Sequence, residues 1–432
     1  MKRKLHIAAA VAALALVQSP GASGPANAAP AGYKEKKLYD FCKKENCADG
    51  ELAYGNVVID SSRNIYGTTQ YGGPGGGGEV FELTPYNNRY KFAVIYAFGV
   101  DDTFEDPRGD LSLDKDGNLY GTVDDESGCG VVFELDHDGG NWVFSLVHQF
   151  AGDSDGCLPS AGLTYAGKNL GEPWDEFSPL FGTTEEGGTY GNGVAYELIK
   201  DGSLWNETII HTFEDERQPG ALLEDSAGNL WGTTQYGGTS QGSDGIIFEL
   251  AAETWKETIP FQFCSPPNCA AGFLPVGRLF MDGSGNIFGT TIEGGSSANC
   301  ADQDGCGVVF ELTAGGAYQV LYNFCSATDC ADGSYPGGGV IMNASGLLVG
   351  TTGGGGSGQY AAQGGSGVAF ELSNGGGSWS ETVVHSFCSK PACKDGEYPS
   401  SDLVADSSGN IFGVTDGGKT SPGGNVFELK PR

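Results

Sequence analysis

One motif, repeated seven times, constrains the fold of this chain more than any other feature. In its clearest copy, residues 228–238 read GNLWGTTQYGG and residues 246–250 read IIFEL. The Gly-Thr step, which becomes Gly-Val in the last copy, begins at Gly67, Gly121, Gly182, Gly232, Gly289, Gly350 and Gly413. The aromatic-Glu-Leu step ends at Leu83, Leu135, Leu198, Leu250, Leu312, Leu372 and Leu429. A fixed period of roughly 50 to 60 residues indicates a repeat architecture.

Each repeat contains four short segments that are typical of β-strands. In the fourth repeat these are residues 220–225, 229–234, 245–250 and 255–263, which are rich in apolar, β-branched or aromatic residues and are separated by Gly, Asn, Asp and Ser. No segment after residue 28 shows helical periodicity over a useful length. The 73 glycines concentrate in the connections without a Gly-x-y period, which excludes collagen. The chain is therefore predicted to be all-β.

The connection between the first two strands has a recurrent Asp-x-x-Gly-Asn sequence. It occupies residues 114–118, 225–229, 282–286 and 406–410, and Arg63 takes the glycine place in the first copy. Aspartate accepts backbone N–H groups and glycine adopts positive φ, so the sequence predicts a tight turn. Residues 114–118 also match the start of an EF-hand loop, but Leu119 stands where glycine is required and Asp125 replaces the bidentate glutamate. The turn is favoured over a calcium loop.

Seven four-stranded units predict a seven-bladed β-propeller, in which radial repetition leaves only short protected edges. Residues 38–41 match the fourth strand of other repeats, such as residues 321–324, whereas the chain ends with a third strand at residues 426–429. We expect residues 34–41 to complete the blade that begins at Ser401 and thereby to close the ring.

The N-terminus is expected to direct export. Residues 1–28 combine three basic residues, an apolar run from Ile7 to Val17 and a small-x-small site at residues 26–28, as in a signal peptide. The apolar run is far shorter than the roughly 20 residues of a membrane span, and neither a lipidated cysteine nor a C-terminal anchor is indicated. We therefore expect residues 29–432 to form a single propeller domain, secreted or periplasmic.

The chain is strongly acidic. Loss of the leader removes three basic and no acidic residues, which moves the formal net charge from −32 to −35. Such a charge disfavours nucleic acid and anionic lipid as partners. Solubility outside the cell is the favoured explanation of the acidity, and cation binding is the alternative.

The twelve cysteines predict disulfides. Four pairs share a Phe-Cys-x4-Cys motif, two cysteines share one loop, and the remaining two belong to neighbouring loops: the expected pairs are Cys42 with Cys47, Cys264 with Cys269, Cys325 with Cys330, Cys388 with Cys393, Cys300 with Cys306, and Cys129 with Cys157. Pairing of Cys157 with a distant loop stays open. A zinc site is disfavoured because four thiolates would have to converge, whereas these pairs fall in separate repeats with no second pair expected nearby.

The repeat resembles a known family. The sequence Asn-Ile/Leu-aromatic-Gly-Thr-Thr-x-x-Gly-Gly, followed by Gly-x-Val-Phe-Glu-Leu, is similar to the GloVer-type tandem repeat of exported bacterial choice-of-anchor tandem repeat proteins. The resemblance covers essentially all of residues 29–432 and implies an exported, propeller-like bacterial protein, without catalytic residues to carry over. The chain departs from the pattern at residues 167–179, after Val123, at Leu347 and in having no anchor after the repeats.

The two residues that follow Gly-Thr-Thr differ from repeat to repeat and are the predicted binding positions, because loops on a rigid scaffold commonly carry function. Acids and tyrosines there suit a sugar or a cation. The candidates are Tyr71, Asp124, Glu185, Glu186, Tyr236, Glu293 and Asp416. The alternative is that these residues are solvated and have no function.

Other polar residues are predicted to be structural. The glutamate of the third strand is present in all seven repeats, as expected of a residue that builds each blade. Three of the five histidines stand in the fourth strand, and His137 is expected in a turn. No Ser-His-Asp triad or three-histidine zinc site is predicted, so no catalytic residues and no metal ligands are assigned.

These features predict a secreted, monomeric, non-enzymatic β-propeller that binds a polysaccharide or another surface component through its loops. One alternative is a carbohydrate-active hydrolase or lyase that uses a carboxylate pair, for example Glu185 or Glu186 with Asp124 or Asp153. Another is a structural or adhesive protein. No cofactor is predicted, and Ca²⁺ remains an alternative ligand.

Overall fold

The computed structural model describes residues 32–432 except 101, 126–127, 216, 239–243, 265–268, 301–303 and 419–421. The predicted leader, residues 1–28, lies outside these residues. The described chain forms seven antiparallel sheets in sequence order, one for each repeat, and the sheets are the blades of a propeller. None of its helices is long and apolar enough to cross a membrane.

The strand β1 (Tyr33–Asp40) precedes the first repeat. Blade 1 comprises β2 (Val58–Ile59), β3 (Ile65–Thr69), β4 (Glu79–Tyr86) and β5 (Arg89–Ala97). Blade 2 comprises β6 (Ser112–Leu113), β7 (Leu119–Val123), β8 (Val131–Asp138) and β9 (Asn141–Gln149). Blade 3 comprises β10 (Leu180–Thr184), β11 (Val194–Asp201) and β12 (Leu204–Thr212). Blade 3 has no separate first strand among the described residues, where a Thr164 to Phe181 bridge takes its place.

Blade 4 comprises β13 (Arg217–Pro219), β14 (Leu223–Glu224), β15 (Leu230–Tyr236), β16 (Ile246–Ala251) and β17 (Lys256–Gln262). Blade 5 comprises β18 (Phe273–Met281), β19 (Ile287–Glu293), β20 (Val308–Leu312) and β21 (Tyr318–Asn323). Blades 6 and 7 comprise β22 (Ile341–Met342), β23 (Leu348–Thr352), β24 (Val368–Asn374) and β25 (Trp379–Ser386); and β26 (Val404–Ala405), β27 (Ile411–Thr415) and β28 (Asn425–Pro431). The described helices are short 3-10 turns: Glu45–Cys47, Lys168–Leu170, Thr328–Cys330, Ala361–Gln363 and Pro391–Cys393.

The N-terminal strand closes the ring, as predicted. β1 lies antiparallel to β28, and the sheet order is β1-β28-β27-β26. The register runs from Tyr33 opposite Pro431 to Asp40 opposite Asn425. The outer edge of β28 is therefore paired rather than exposed.

The glycine and the aromatic residue of the repeat motif fit each other. Gly232 on β15 lies opposite Phe248 on β16, and a Cβ on Gly232 would lie 2.5 Å from the Phe248 ring. The same overlap, with tyrosine in the third blade, joins Gly67 to Phe81, Gly121 to Phe133, Gly182 to Tyr196, Gly289 to Phe310, Gly350 to Phe370 and Gly413 to Phe427. The aromatic ring therefore packs directly on the motif glycine, where a larger residue would leave no room for it. The rings belong to the hydrophobic cores between adjacent blades.

The two threonines of the motif have different roles. The first bonds the innermost segment of the next blade: Thr183 Oγ1 donates to Gly220 O at 3.0 Å, and Thr290 Oγ1 donates to Gly338 O at 2.8 Å. The second bonds the carbonyl two residues later in its own chain, as Thr234 Oγ1 does to Tyr236 O at 3.0 Å. One threonine links blades, and the other fixes the backbone of the variable pair.

The Asp-x-x-Gly-Asn segments form the predicted turns. Asp225 Oδ1 accepts the backbone N–H groups of Ala227 and Asn229, and its Oδ2 accepts the Asn229 amide. Asp114 is engaged in the same way and also faces Tyr120 Oη at 3.3 Å. Both oxygens of each aspartate are occupied by the turn, which supports the turn over the calcium loop.

The two variable connections of each blade lie on one face, which we call the loop face. These are the connection between the second and third strands and the connection from the fourth strand to the next blade. Short backbone bridges join them at Glu51 to Tyr71, Cys157 to Glu186 and Ser334 to Gly354. The opposite face carries the tight turns and is called the hairpin face.

The cysteine pairs stand at disulfide distance in the combinations predicted: Cys42 with Cys47, Cys129 with Cys157, Cys264 with Cys269, Cys300 with Cys306, Cys325 with Cys330, and Cys388 with Cys393. The described clusters closest to a metal-ligand arrangement consist of these bonded cysteines with at most one glutamate. Their sulfur atoms are not thiolates, which metal binding by cysteine requires.

Candidate functional site

The second threonine of each motif positions the variable pair. Five such hydroxyls donate to the carbonyl two residues later, in Tyr71, Glu186, Tyr236, Glu293 and Gly354. In blades 4 and 5 the pair belongs to the strand rather than to a loop, because β15 and β19 extend through Tyr236 and Glu293. That extension differs from the prediction and arises because β13 and the start of β18 pair with it.

Alternation along the chain separates the two members of the pair. The first residue is turned toward the inner strand of its own blade: Ser160 Oγ donates to Glu185 Oε1, and Ser400 Oγ donates to Asp416 Oδ1. The second residue is more open where it is a tyrosine, since Tyr71 and Tyr236 are 43% and 42% exposed. The pairs thus present carboxylates near the axis and tyrosines farther out.

One group of these side chains lies on the loop face at the inner ends of blades 1, 2, 3 and 7, and we call it the channel mouth. Its members are Tyr54, Tyr71, Asp106, Arg108, Asp124, Glu185 and Asp416. Tyr54 is half exposed. Burial raises the pKa of Tyr54, and the negative charges of Asp416, Glu185 and Asp106 raise it further, whereas Arg108 opposes them. Acids from blades 2, 3 and 7 therefore lie close enough to Tyr54 for their charges to shift its pKa.

Arg108 organises the acids of blade 2. Its Nη2 lies 2.8 Å from Asp106 Oδ2, and its Nη1 lies 3.2 Å from Asp124 Oδ2. Asp124 is 2% exposed. The predicted ligand Asp124 is thus held in a part-buried ion pair, and a ligand at the mouth would meet the guanidinium and Tyr71 before this carboxylate.

Asp416 differs from the other acids of the mouth. Its side chain is part-buried, and burial raises its pKa to about 6, although the hydrogen bond from Ser400 acts in the opposite direction. A protonated carboxyl that persists to mildly acidic pH can donate a proton or a hydrogen bond.

A second group lines a cleft of about 570 Å³ between blades 3 and 4, within the usual range for small-ligand sites. The lining residues are Glu185, Glu186, Gly191, Asn192, Asp215, Arg217, Gln218, Tyr236 and Gly237. They combine carboxylates, carboxamides and a guanidinium with a part-exposed tyrosine. Such planar polar groups bind hydroxyls, while the tyrosine ring offers an apolar face.

The blade 4 strands position the far wall of this cleft. Arg217, on the short strand β13, lies opposite Tyr236 in the antiparallel ladder with β15. On the near wall, Glu185 accepts from Ser160 and lies 3.5 Å from Gln218 Nε2. Glu185 therefore belongs both to the cleft and to the channel mouth.

The predicted binding residues divide between these two places. Glu185, Glu186 and Tyr236 line the cleft, whereas Asp416, Asp124 and Tyr71 lie at the mouth with Arg108. Glu293, on blade 5, is not among the residues that line the cleft. Whether any of them binds a ligand stays a prediction.

Sequence reasoning missed the partners of these residues: Tyr54, Arg108, Asn192, Asp215, Arg217 and Gln218. A signal existed for Tyr54 and Arg108, because alignment of the inner strands places them opposite small residues such as Gly337 and Ser400 in other repeats. Arg217 and Asp215 follow the fourth strand of blade 3, where the repeats share no pattern.

The recurrent glutamates contact neighbouring side chains, which supports their structural interpretation. Tyr120 Oη and Lys200 Nζ lie 2.6 and 3.1 Å from Glu134 Oε1, and Asn343 Nδ2 lies 2.8 Å from Glu371 Oε1. His137 was expected in a turn but lies within β8, where it stacks on Trp142 across the ladder. The strand pattern was not recognised in the sequence because His137 stands between the two aspartates Asp136 and Asp138, which suggested a turn.

The repeat model of the Gloeobacter/Verrucomicrobia repeat matches residues 27–172 and 169–427. The chain belongs to this family. The junction of the two matched segments falls in residues 167–179, where the third repeat departs from the Gloeobacter/Verrucomicrobia pattern. No protein of curated function matches the sequence.

Solved structures share the fold of this Gloeobacter/Verrucomicrobia repeat protein at low identity. A catalytically inactive virginiamycin B lyase from Staphylococcus aureus, with quinupristin, is similar at a TM-score of 0.54 and 12% identity over 92% of this chain and 99% of that one. The extracellular domain assigned to a one-component system from B. thetaiotaomicron has a TM-score of 0.54 and 10% identity, over 92% of this chain and 40% of that one. At these identities the likeness shows the fold alone.

Proposed function

We propose that the protein is exported and binds a polysaccharide, or another glycan of a cell surface, in the cleft between blades 3 and 4. The observation that carries this proposal is the convergence of Glu186, Asp215, Arg217 and Tyr236 on one open cavity of about 570 Å³. Carboxylates and a guanidinium can bond several sugar hydroxyls at once, and the exposed tyrosine can pack on a sugar ring.

Export is supported by the leader sequence and by the cysteine pairs. Six pairs stand at disulfide distance, and disulfides form and persist outside the reducing cytosol. A glycan outside the cell is a polyhydroxylated, weakly charged ligand, which a strongly acidic protein does not repel as it would an anionic polymer.

The proposal is tested by glycan binding of residues 29–432. A glycan array followed by calorimetry on the best ligand should show binding, and Tyr236→Ala or Glu186→Gln should weaken it at least tenfold. Tyr86→Ala is the matched control, because Tyr86 is 65% exposed on the hairpin face. Absence of binding across neutral and acidic polysaccharides would reject the proposal in favour of a structural or adhesive role.

A carbohydrate-active hydrolase is the second candidate, and one observation favours it. Glu185 and Asp416 take equivalent positions in blades 3 and 7, each bonded by an inner-strand serine, and burial raises the pKa of Asp416 to about 6. A general acid beside a second carboxylate is the arrangement of glycoside hydrolysis. Release of reducing ends that Asp416→Asn and Glu185→Gln abolish would establish the enzyme; binding without release would reject it.

A further inference from the structure

The innermost strands place one residue of each blade near the propeller axis. These positions precede a leucine or valine in every repeat and are Asn56, Asp110, Gly162, Ala221, Arg278, Gly339 and Asp402. Asn56 Nδ2 lies 2.7 Å from Asp110 Oδ2 and 3.1 Å from Asp402 Oδ2, which joins blades 2 and 7 through blade 1. The backbone N–H of Arg278 in blade 5 lies 3.2 Å from Asp402 Oδ2. The axis is therefore filled by a polar cluster.

Amide donors satisfy the two axial carboxylates. Asp110 accepts from both the backbone and the side chain of Asn56, and Asp402 accepts from Asn56 and from the backbone N–H groups of Arg278 and Gly339. Among the described residues, no lysine or arginine nitrogen lies within 4.0 Å of either carboxylate. The charges of both carboxylates still act on Lys168, and that of Asp110 acts on Arg278, but neither carboxylate forms an ion-pair contact with these cations.

Two cations face the same region. Lys168 comes from residues 167–179, the segment that replaces the usual turn of blade 3, and its Nζ donates to Ser112 Oγ at 3.0 Å and to Leu163 O. The Arg278 guanidinium has no hydrogen-bond acceptor among the described residues. Burial, followed by the charge of Arg278, lowers the pKa of Lys168 to about 7, although the charges of Asp110 and Asp402 act in the opposite direction. The guanidinium donors of Arg278 therefore remain available to a ligand, and Lys168 places a second positive charge beside them.

These cations border a cavity of about 240 Å³ on the hairpin face. Lys168, Arg278 and Asp402 form its polar end, and Leu279, Ile341 and Leu403 belong to its apolar wall. The Asn169 amide, 3.0 Å from Met281 O, fixes the blade 3 segment against blade 5 at the same opening. The cavity is therefore built from blades 5, 6 and 7 and from the insertion in blade 3.

We propose that this axial cavity binds a small organic monocarboxylate, with its carboxylate on Arg278 and Lys168 and its short apolar chain on the aliphatic wall. A planar guanidinium matches a carboxylate in two parallel hydrogen bonds. A single negative charge fits best because Asp402 borders the same space and repels further charge. The apolar wall favours a hydrocarbon chain over an inorganic anion.

The test uses residues 29–432 and sodium hexanoate as the probe, with sodium sulfate and 1-hexanol as comparison ligands. Calorimetry should show saturable hexanoate binding that raises the melting temperature, with weaker binding of both comparison ligands. Arg278→Met should weaken hexanoate binding at least tenfold. Arg89→Met is the matched control, since Arg89 is exposed on the hairpin face and should leave binding unchanged.

Each other outcome contradicts the proposal. Absence of hexanoate binding, or equal binding by Arg278→Met, would exclude carboxylate recognition at the axis. Equal binding of hexanol would identify an apolar cavity without a role for the cations, and stronger binding of sulfate would identify an inorganic anion site. Arg278→Lys keeps the charge without the planar fork and should bind between the native protein and Arg278→Met, which separates loss of recognition from loss of fold.

Discussion

At the residue scale, some individual buried acids of the loop face occur in only one blade and are not part of the repeat motif. Glu79 is fully buried, and neither of its carboxylate oxygens has a protein hydrogen-bond partner. Equivalent positions in the other blades are apolar except for Asn425. Burial, reinforced by the charge of Asp49, raises the pKa of Glu79 to about 8.

Glu79→Gln should therefore stabilise the protein at alkaline pH. Because the folded pKa lies above the unfolded value, the folded state holds the proton more tightly and loses stability as pH rises from about 4.5 through about 8. We expect the free energy of unfolding at pH 8.5 to rise by roughly 2 kcal/mol in the variant, with little change at pH 4. Denaturant unfolding at both pH values measures this, with Glu51→Gln in the neighbouring loop as the control; an equal effect at both would contradict it.

The recurrent third-strand glutamates should differ in cost according to their partners. Glu134 accepts from Tyr120 Oη and from Lys200 of the next blade, whereas the hydrogen bond from Thr258 to Glu249 is exposed. Glu134→Ala should cost about 1–3 kcal/mol of unfolding free energy and Glu249→Ala under about 1 kcal/mol. Glycan binding should persist in both, and a stable variant that no longer binds would overturn the structural assignment.

The roles of individual residues could be predicted from the sequence where a residue recurs in the repeats, but not where it occurs once. The Gly-Thr-Thr and Phe-Glu-Leu residues were assigned to the scaffold because every copy carries a close version of them, and their mutual contacts support the assignment. Arg278 and Asp402 were missed although a comparison of inner strands shows polar or charged residues in four blades at a position that is glycine or alanine in the other three. The partners of Glu185 could not be predicted because Gln218 reaches it from another blade.

At the scale of elements, the sheet order confirms the prediction that the N-terminal strand β1 completes the last blade. Its match to residues 321–324 was visible in the sequence, and its side chains Tyr33 and Leu38 pack with cores of blades 6 and 7 and of blades 7 and 1. The packing of residues 167–179 could not be predicted from the sequence. Trp174 is fully buried against Tyr120 and Trp205, a tertiary arrangement that no local pattern specifies.

Removal of residues 29–41 should lower the melting temperature sharply. The deletion exposes the edge of β28 and removes the buried Phe41 and Tyr33 side chains, each a loss comparable to a large-to-small core substitution of about 3 kcal/mol or more. Differential scanning calorimetry measures the change. Deletion of residues 29–31 alone is the control, and an unchanged melting curve for the longer deletion would contradict ring closure by β1.

At the scale of the whole molecule, the propeller separates two faces with different chemistry. The loop face gathers acids and tyrosines from several blades, and the hairpin face encloses the two axial cations Lys168 and Arg278. The number of blades followed directly from counting motifs. The cleft did not, because it depends on how the variable ends of blades 3 and 4 lie side by side after the ring has closed.

The central claim is that glycan recognition resides in this cleft, and calorimetric titration of Tyr236→Ala tests it most directly. With the best array ligand, the account predicts at least tenfold weaker binding by this variant, an unchanged melting temperature and native affinity in Tyr86→Ala. Native affinity in Tyr236→Ala, or equal losses in both variants, would contradict it.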